Sequence, residues 1–425
     1  MGARDLRIAR VEPFHLDTLF KRAVNSGASD LYIKSGNFPI IRRQGRLEVL
    51  TDEFGLLTPE IIEQILTSEL DNLSIHLMKQ KRNFDFSMER GGIGRFRVNA
   101  SLSRGDWMLS VRIIGVSPMS LDELNLPSEL KKFTRYQRGL VLISGKAGAG
   151  KSTTMASLLN YMVNRQDRHV ITLEDPIEYR FTGTKGMITQ KELGRDVATF
   201  ADGLKAALRQ NPDAIFIGEM RDRETIEAAL VAAETGHLVF STLHSGDAPG
   251  VIHRILAAFP SEQHGQVRRQ LAANLMAVVS QRLVPSLQKS LVMPAVEIMV
   301  VNDRIQDLIR NSDRTHEIIH AIEEGFVNYG MQTFDQSLLS LLTKELIDYQ
   351  TALTFASRPA DFELRCSGVK ATDGDKWVPF DLETESTPDR FSIQVKKGDV
   401  RIPEYNRSVL MTRIKSKKKK KKFPW

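Results

Sequence analysis

The chain has 425 residues, 41% apolar and 26% charged, a globular composition long enough to bury a large core without disulfides or structural metal. Its single cysteine, Cys366, excludes an intramolecular disulfide and any multi-cysteine zinc site and suits a reducing compartment. The net charge of +7 owes most of its value to the lysine run 417–422, so the remaining residues are close to neutral and make no case for nucleic-acid binding. No apolar run reaches the roughly 18 residues of a membrane span, and residues 1–13 lack the apolar core of a signal peptide, which predicts a cytoplasmic protein.

Residues 15–26 carry Leu16, Leu19, Phe20, Ala23 and Val24 at the spacing of an amphipathic helix. Residues 28–33 read as a strand before a turn at Gly36-Asn37, and Thr58 followed by Pro59 and Glu60 marks the start of a second helix. Residues 83–87, 94–102 and 107–114 alternate as strands of one antiparallel sheet, giving a small α+β domain over residues 1–116. Residues 117–136, punctuated by Pro118, Asp122 and Pro127, read as a linker. From Gly139 the short apolar strands 139–144, 169–173, 214–218 and 238–242 alternate with segments long enough for helices, so an α/β domain with a parallel sheet is predicted over residues 137–365. Beyond Gly265 the pattern reads as helical, through residues 267–283 and 333–346. Residues 366–425 shift to Asp, Lys, Pro and Gly and end in the lysine run; a mobile basic extension is expected, short strands at 377–382 and 390–395 being the competing reading.

Gly145-Lys146-Ala147-Gly148-Ala149-Gly150-Lys151-Ser152 matches G-x-x-x-x-G-K-[ST], follows an apolar strand and precedes a helix-forming stretch. Backbone amides of residues 147–151 at a helix N-terminus suit phosphates, Lys151 reaches the β- and γ-phosphates, and the Ser152 hydroxyl ligands magnesium. The predicted cofactors are therefore ATP and Mg2+. Glu219 ends one apolar strand, and Glu174-Asp175-Pro176-Ile177-Glu178 ends another; the carboxyl ends of such strands line the ligand crevice of an open α/β sheet. Pattern alone does not choose between Glu174 and Glu178. His244 closes a fourth strand in Ser241-Thr242-Leu243-His244 and is a candidate γ-phosphate sensor, although most lone histidines are structural. Arg95, Arg97 and Arg112 lie on strands of the first domain, where they either face solvent or bring positive charge to a neighbouring subunit's nucleotide.

With these residues assembled, the chain resembles the type IV pilus retraction ATPases of the twitching-motility PilT/PilU group, within the secretion-ATPase superfamily. The resemblance spans about residues 15–365. It rests on Ala28-Ser29-Asp30-Leu31, Gly94-Arg95-Phe96-Arg97-Val98-Asn99, the P-loop, residues 173–178 as the Asp box and residues 204–213. Gly218-Glu219-Met220-Arg221-Asp222 matches as an atypical Walker B, Ser241-Thr242-Leu243-His244 as the His box, and Gln281-Arg282-Leu283 and Gly330-Met331-Gln332-Thr333-Phe334-Asp335-Gln336 complete the set.

The resemblance implies a PAS-like N-terminal domain, a RecA-like ATPase domain with a helical C-terminal part, and a homohexamer driven by ATP hydrolysis and domain rotation. It implies a nucleotide held by residues 145–153, Thr153 included, between domains, with Arg97 and Arg112 closing over it. Glu178 becomes the catalytic base by its place in the Asp box and Glu219 the Walker B acid. An inner-membrane pilus platform protein is the implied partner, a second retraction ATPase a further one, and the inner face of the inner membrane the implied location. The group's C-terminal stretch Ala-Ile-Arg-Asn-Leu-Ile-Arg-Glu reads here Arg304-Ile305-Gln306-Asp307-Leu308-Ile309-Arg310-Asn311, which leaves an accessory, PilU-like role open. A pilus extension or type II secretion ATPase is disfavoured by the missing tetracysteine insertion. The lysine run with Phe423 and Trp425 offers peripheral contact with an anionic membrane, a solvated charge run being the plainer reading.

Overall fold

Two β-sheets, each with its own apolar core, organise the chain. The computed structural model describes residues 16–43, 45–51, 54–114, 118–181, 183–288 and 291–366. The expectations for the basic extension, beyond Cys366, lie outside the described residues.

The N-terminal sheet comprises β1 (Asp30–Lys34), β2 (Ile40–Arg43), β3 (Arg46–Val49), β4 (Asn83–Arg90), β5 (Gly94–Ser103) and β6 (Asp106–Ile114), antiparallel in the order β3-β2-β1-β6-β5-β4. Helices α1 (Leu16–Asn25), α2 (Pro59–Glu69) and α3 (Asn72–Lys81) supply the rest of its core. Leu19, Phe20 and Ala23 of α1 are buried at helical spacing, and Phe20 meets Phe96 of β5 at a ring-centroid distance of 4.3 Å. Thr58 caps α2 as its sequence predicts: the Ile61 amide donates to Thr58 Oγ1 at 3.4 Å and Pro59 takes the first helical position. On β5 the alternation buries Phe96, Val98 and Ala100 and turns Arg95, Arg97 and Asn99 to the opposite face.

The central sheet has the order β13-β12-β7-β11-β10-β8-β9. Its strands are β7 (Gly139–Ser144), β8 (His169–Glu174), β9 (Met187–Glu192), β10 (Ala214–Ile217), β11 (Leu238–Leu243), β12 (Leu275–Pro285) and β13 (Val292–Val300). All pairings are parallel except that of β12 with β13. Val141 and Ile143 of β7 pack with α4 (Leu130–Phe133) and α5 (Lys151–Arg165) on one face. Leu140 and Leu142 face the other way, toward α6 (Phe200–Ala207), α7 (Arg223–Glu234), α8 (Ala248–Leu256), α9 (His264–Asn274), α10 (Asp303–Arg310) and α11 (Ile318–Glu324). A sheet covered on both faces needs strands apolar at every position, and β7 and β11 are buried throughout. After α12 (Phe326–Tyr329), helices α13 (Phe334–Thr343), α14 (Tyr349–Phe355) and α15 (Pro359–Cys366) bury Phe334, Leu338, Ala352 and Phe362 with Val284 and Ala295 of β12 and β13.

Two sequence expectations are corrected. Residues 275–283, expected to continue a helix, form most of β12. This run is buried on both faces between β7 and β13, so it lacks the alternation that separates strand from helix. The stretch expected as a linker contains α4 and sends Leu121, Leu126, Leu130 and Phe133 into the core beside α5.

Candidate functional site

The carboxyl ends of β7, β8, β10 and β11 converge on a cleft of about 360 Å³. Its lining includes Ala147, Gly148, Lys151, Ser152, Glu174, Glu178, Glu219, His244 and, from the N-terminal sheet, Arg97.

β7 leads straight into the glycine-rich loop. Gly145 and Gly150 have positive φ of 152° and 83°, and neither has room for a side chain: a Cβ would lie 2.5 Å from the Gln281 carbonyl oxygen and 2.8 Å from Gln281 Nε2. Lys151 opens α5 and is buried. Its Nζ donates to the carbonyls of Gly145 at 2.9 Å and Lys146 at 3.2 Å and lies 3.4 Å from His244 Nδ1. Burial lowers the Lys151 pKa, and the nearby Glu219 carboxylate opposes that shift. Ser152, next along, is exposed at the cleft, and Thr153 Oγ1 lies 3.1 Å from the Tyr179 hydroxyl.

Glu219 follows the four buried residues of β10 and the tight turn at Gly218. Thr242 of β11 fixes this turn, donating from Oγ1 to the Gly218 carbonyl at 2.7 Å while its own carbonyl accepts from the Met220 amide at 3.2 Å. Glu219 Oε1 then sits 3.2 Å from His244 Nε2, and Arg221 Nη2 donates to Oε2 at 2.8 Å. Burial pushes the Glu219 carboxyl up, but the Arg221 hydrogen bond and charge, helped by His244 and Lys151, prevail and hold its pKa below the usual value. His244 thus bridges Lys151 and Glu219, accepting at Nδ1 and donating at Nε2 when the ring proton sits on Nε2.

The two Asp-box glutamates sit in different surroundings. Glu174, at the end of β8, is buried; its Oε1 accepts from Thr172 Oγ1 at 2.6 Å and Gln190 Nε2 at 3.0 Å. Burial raises its pKa against these bonds and against a backbone hydrogen bond from Glu178. Glu174 therefore clasps the loop that carries Glu178. Glu178 itself is half-buried, and among the described residues no side chain engages its carboxylate.

The three N-terminal arginines also separate. Arg97 lines the cleft of its own chain. Arg112, directly opposite Arg97 on β6, is 70% exposed and directs Nε to Asp30 Oδ1 at 3.3 Å, outside the cleft lining. Arg95 ion-pairs with Glu192 of β9, whose carboxylate also accepts from Ser87 Oγ at 2.8 Å and the Ile177 amide at 3.2 Å. Arg95 therefore ties the N-terminal sheet to the Glu178 loop. Residue-by-residue chemistry missed Tyr179, Gln190 and Gln281; the last enters the sequence reading only through the Gln281-Arg282-Leu283 match, with no role attached.

Ser152, Glu178 and Glu219 bring a hydroxyl and two carboxylates to one cleft beside Lys151, a donor set suited to a magnesium–triphosphate.

The family model described as type II/IV secretion system protein matches residues 8–306. The type IV pilus ATPase PilU of Pseudomonas aeruginosa is 36% identical over 359 residues, covering 84% of this chain and 93% of the relative. The type IV pilus retraction ATPase PilT of the same organism is 38% identical over 354 residues, covering 80% and 97%. A crystal structure of the pilus retraction motor PilT with bound ADP aligns with a TM-score of 0.76 at 36% identity, covering 82% of this chain and 98% of that one.

Proposed function

The chain belongs to the type II/IV secretion system protein family, in its PilT/PilU group of ATPases, and from that membership we propose that it hydrolyses ATP at this cleft to power type IV pilus retraction. The observation that carries the reading is the contact chain Lys151–His244–Glu219–Arg221, which joins the phosphate-binding loop to the ends of β10 and β11.

Lys151 spends its donors on two loop carbonyls, and the β- and γ-phosphates of ATP are stronger acceptors at the same place. Magnesium held by Ser152 would offset phosphate charge. Glu178, accessible and free of side-chain partners among the described residues, accepts the proton of the attacking water as the γ-phosphoryl group leaves ADP. Glu219, kept ionised by Arg221, would help hold a bound magnesium ion, and its link to His244 makes that ring responsive to the γ-phosphate. Arg97 adds positive charge from the N-terminal sheet, which we take as PAS-like and joined to a RecA-like ATPase domain.

The working form is a homohexamer whose nucleotide-dependent domain rotation acts on a membrane platform protein at the inner face of the inner membrane. The lysine run adds peripheral contact there. Whether the chain is the principal or an accessory motor turns on α10, which with its C-cap Asn311 carries the Arg304–Asn311 stretch. Its retained apolar residues Ile305, Leu308 and Ile309 are the buried ones, so most of the departures from the group pattern fall on its outer face. The altered face supports the accessory role. ATPase rate and solution mass test the main reading together: Lys151-dependent turnover by a hexamer is expected, and a monomer without turnover overturns it.

A further inference from the structure

Gln281 lies on β12, one residue past the Ser280–Ser144 pairing that ends β7, and it meets both the phosphate-binding loop and the first turn of α5. It is 3% exposed. Its Nε2 donates to the Ala149 carbonyl at 2.7 Å, and its Oε1 accepts from Thr154 Oγ1 of α5 at 2.7 Å. Its own carbonyl oxygen occupies the space a Cβ on Gly145 would need. Next to it, Ser280 Oγ accepts from Ser144 Oγ at 2.9 Å, so consecutive residues of β12 support the base of the loop on both faces of the strand.

We propose that Gln281 is a positioning residue for nucleotide binding, its carboxamide holding the loop in the form that accepts phosphate. The inference rests on the reading of the cleft as an ATP site. The peptide between Ala149 and Gly150 is planar and trans, so its carbonyl and its N–H point in opposite directions. Tying the Ala149 oxygen down to Gln281 aims the Gly150 N–H to the far side of the loop, where a phosphate oxygen would lie. The second bond fixes the carboxamide against Thr154, in the first turn of the helix whose N-terminus faces the same phosphates. A carboxamide offers a donor and an acceptor in this arrangement without charge at any pH: glutamate lacks the donor when ionised, and an aliphatic side chain lacks both. Without the donor, the Ala149 carbonyl is left buried and unpaired, and it regains a partner only by rotating the peptide. That rotation withdraws the Gly150 N–H from the phosphate.

The test is nucleotide affinity and steady-state kinetics of the full-length Gln281→Met and Gln281→Glu proteins, with ADP and ATP as probes and Lys151→Ala as reference. Gln281→Met keeps the volume and loses both bonds, so nucleotide affinity falls and KM rises on the order of 10- to 100-fold, with a smaller change in kcat. Gln281→Glu behaves similarly at a pH high enough to ionise its carboxyl. Its affinity relative to wild type recovers as pH falls, because a protonated carboxyl again donates to Ala149 and accepts from Thr154. A purely structural role would lower the melting temperature and leave KM and this pH profile unmoved. Should Gln281→Met fail to fold, Thr154→Val, which removes only the second bond and keeps the shape, carries the test with a severalfold rise in KM. Wild-type affinity in folded Gln281→Met, or an unchanged KM in Thr154→Val, overturns the inference while Lys151→Ala remains inactive. Full turnover by Lys151→Ala would instead overturn the reading of the cleft.

Discussion

Arg97 of β5 and Arg112 of β6 stand directly opposite each other in the N-terminal sheet. Like charges in this position repel, and the pair persists because each has an outlet. Arg112 turns to Asp30 on β1, and Arg97 turns into the cleft beside Lys151 and Glu178. A bound triphosphate would relieve the repulsion further. Arg97→Ala is therefore expected to lower turnover by about two orders of magnitude, the scale of losing one charge-stabilising donor, and Arg112→Ala to have the smaller effect. Mixing each variant with Lys151→Ala protein separates action on the home nucleotide from action on a neighbour's. Recovered activity in mixed rings assigns the arginine to the neighbouring site; no recovery at any ratio assigns Arg97 to its own.

Glu178→Gln should cut turnover by about two orders of magnitude while ATP still binds, as expected for loss of a general base. Glu174→Gln should do less. Its oxygen can still accept from Thr172 or Gln190, and burial already favours the uncharged form. Single-turnover rates and nucleotide affinities of the two proteins decide the matter. If Glu174→Gln is the more damaging, the roles within this loop are reversed.

Arg221 is the main group lowering the Glu219 pKa against the effect of burial. Removing it should raise the pKa, so Glu219 picks up a proton at higher pH and activity that requires the carboxylate is lost earlier on acidification. The acid limb of the kcat/KM profile of Arg221→Ala is expected at higher pH than that of wild type, with Arg221→Lys between them. Superimposable acid limbs would remove Glu219 from the proton-sensitive machinery.

The phosphate-binding loop and the strand ends around it were legible because their signals are local: a motif, short apolar runs and a polar residue at each strand terminus. β12 was not legible. Its residues are buried on both faces, and without period-two alternation the run 275–283 resembles the end of α9. Gln281 is picked out by its motif but without a role, since that role appears only when β12 lies parallel to β7 beneath the loop. The arginines show the same limit. Alternation places Arg95 and Arg97 on one face of β5, but Glu192, almost a hundred residues later, takes up Arg95 and leaves Arg97 to the cleft. Glu174 and Glu178 were inseparable by pattern and differ only in who surrounds them.

Glu297 of β13 offers a prediction about stability. It is 2% exposed, sits opposite Ser280 in the register, and accepts from the Ala248 amide in the first turn of α8 at 2.8 Å. Burial pushes its carboxyl up to about 8; the Ala248 bond and Arg282 pull against this, while Asp247 and Asp335 add to it. The unfolded chain releases this proton near the ordinary 4.5, whereas the folded chain keeps it to about 8. Between those values the native state binds more protons than the unfolded state, so stability falls as pH rises, by about 1.4 kcal/mol per pH unit from this group. Above the upper value the contribution is constant. Glu297→Gln keeps an oxygen for the Ala248 amide and carries no titrating proton. Its stability relative to wild type should therefore grow with pH through this window and level off above it. Denaturant unfolding of both proteins from about pH 5 to about pH 9 measures the difference. Parallel pH profiles would mean that Glu297 is ionised in the folded protein, with Arg282 as its partner.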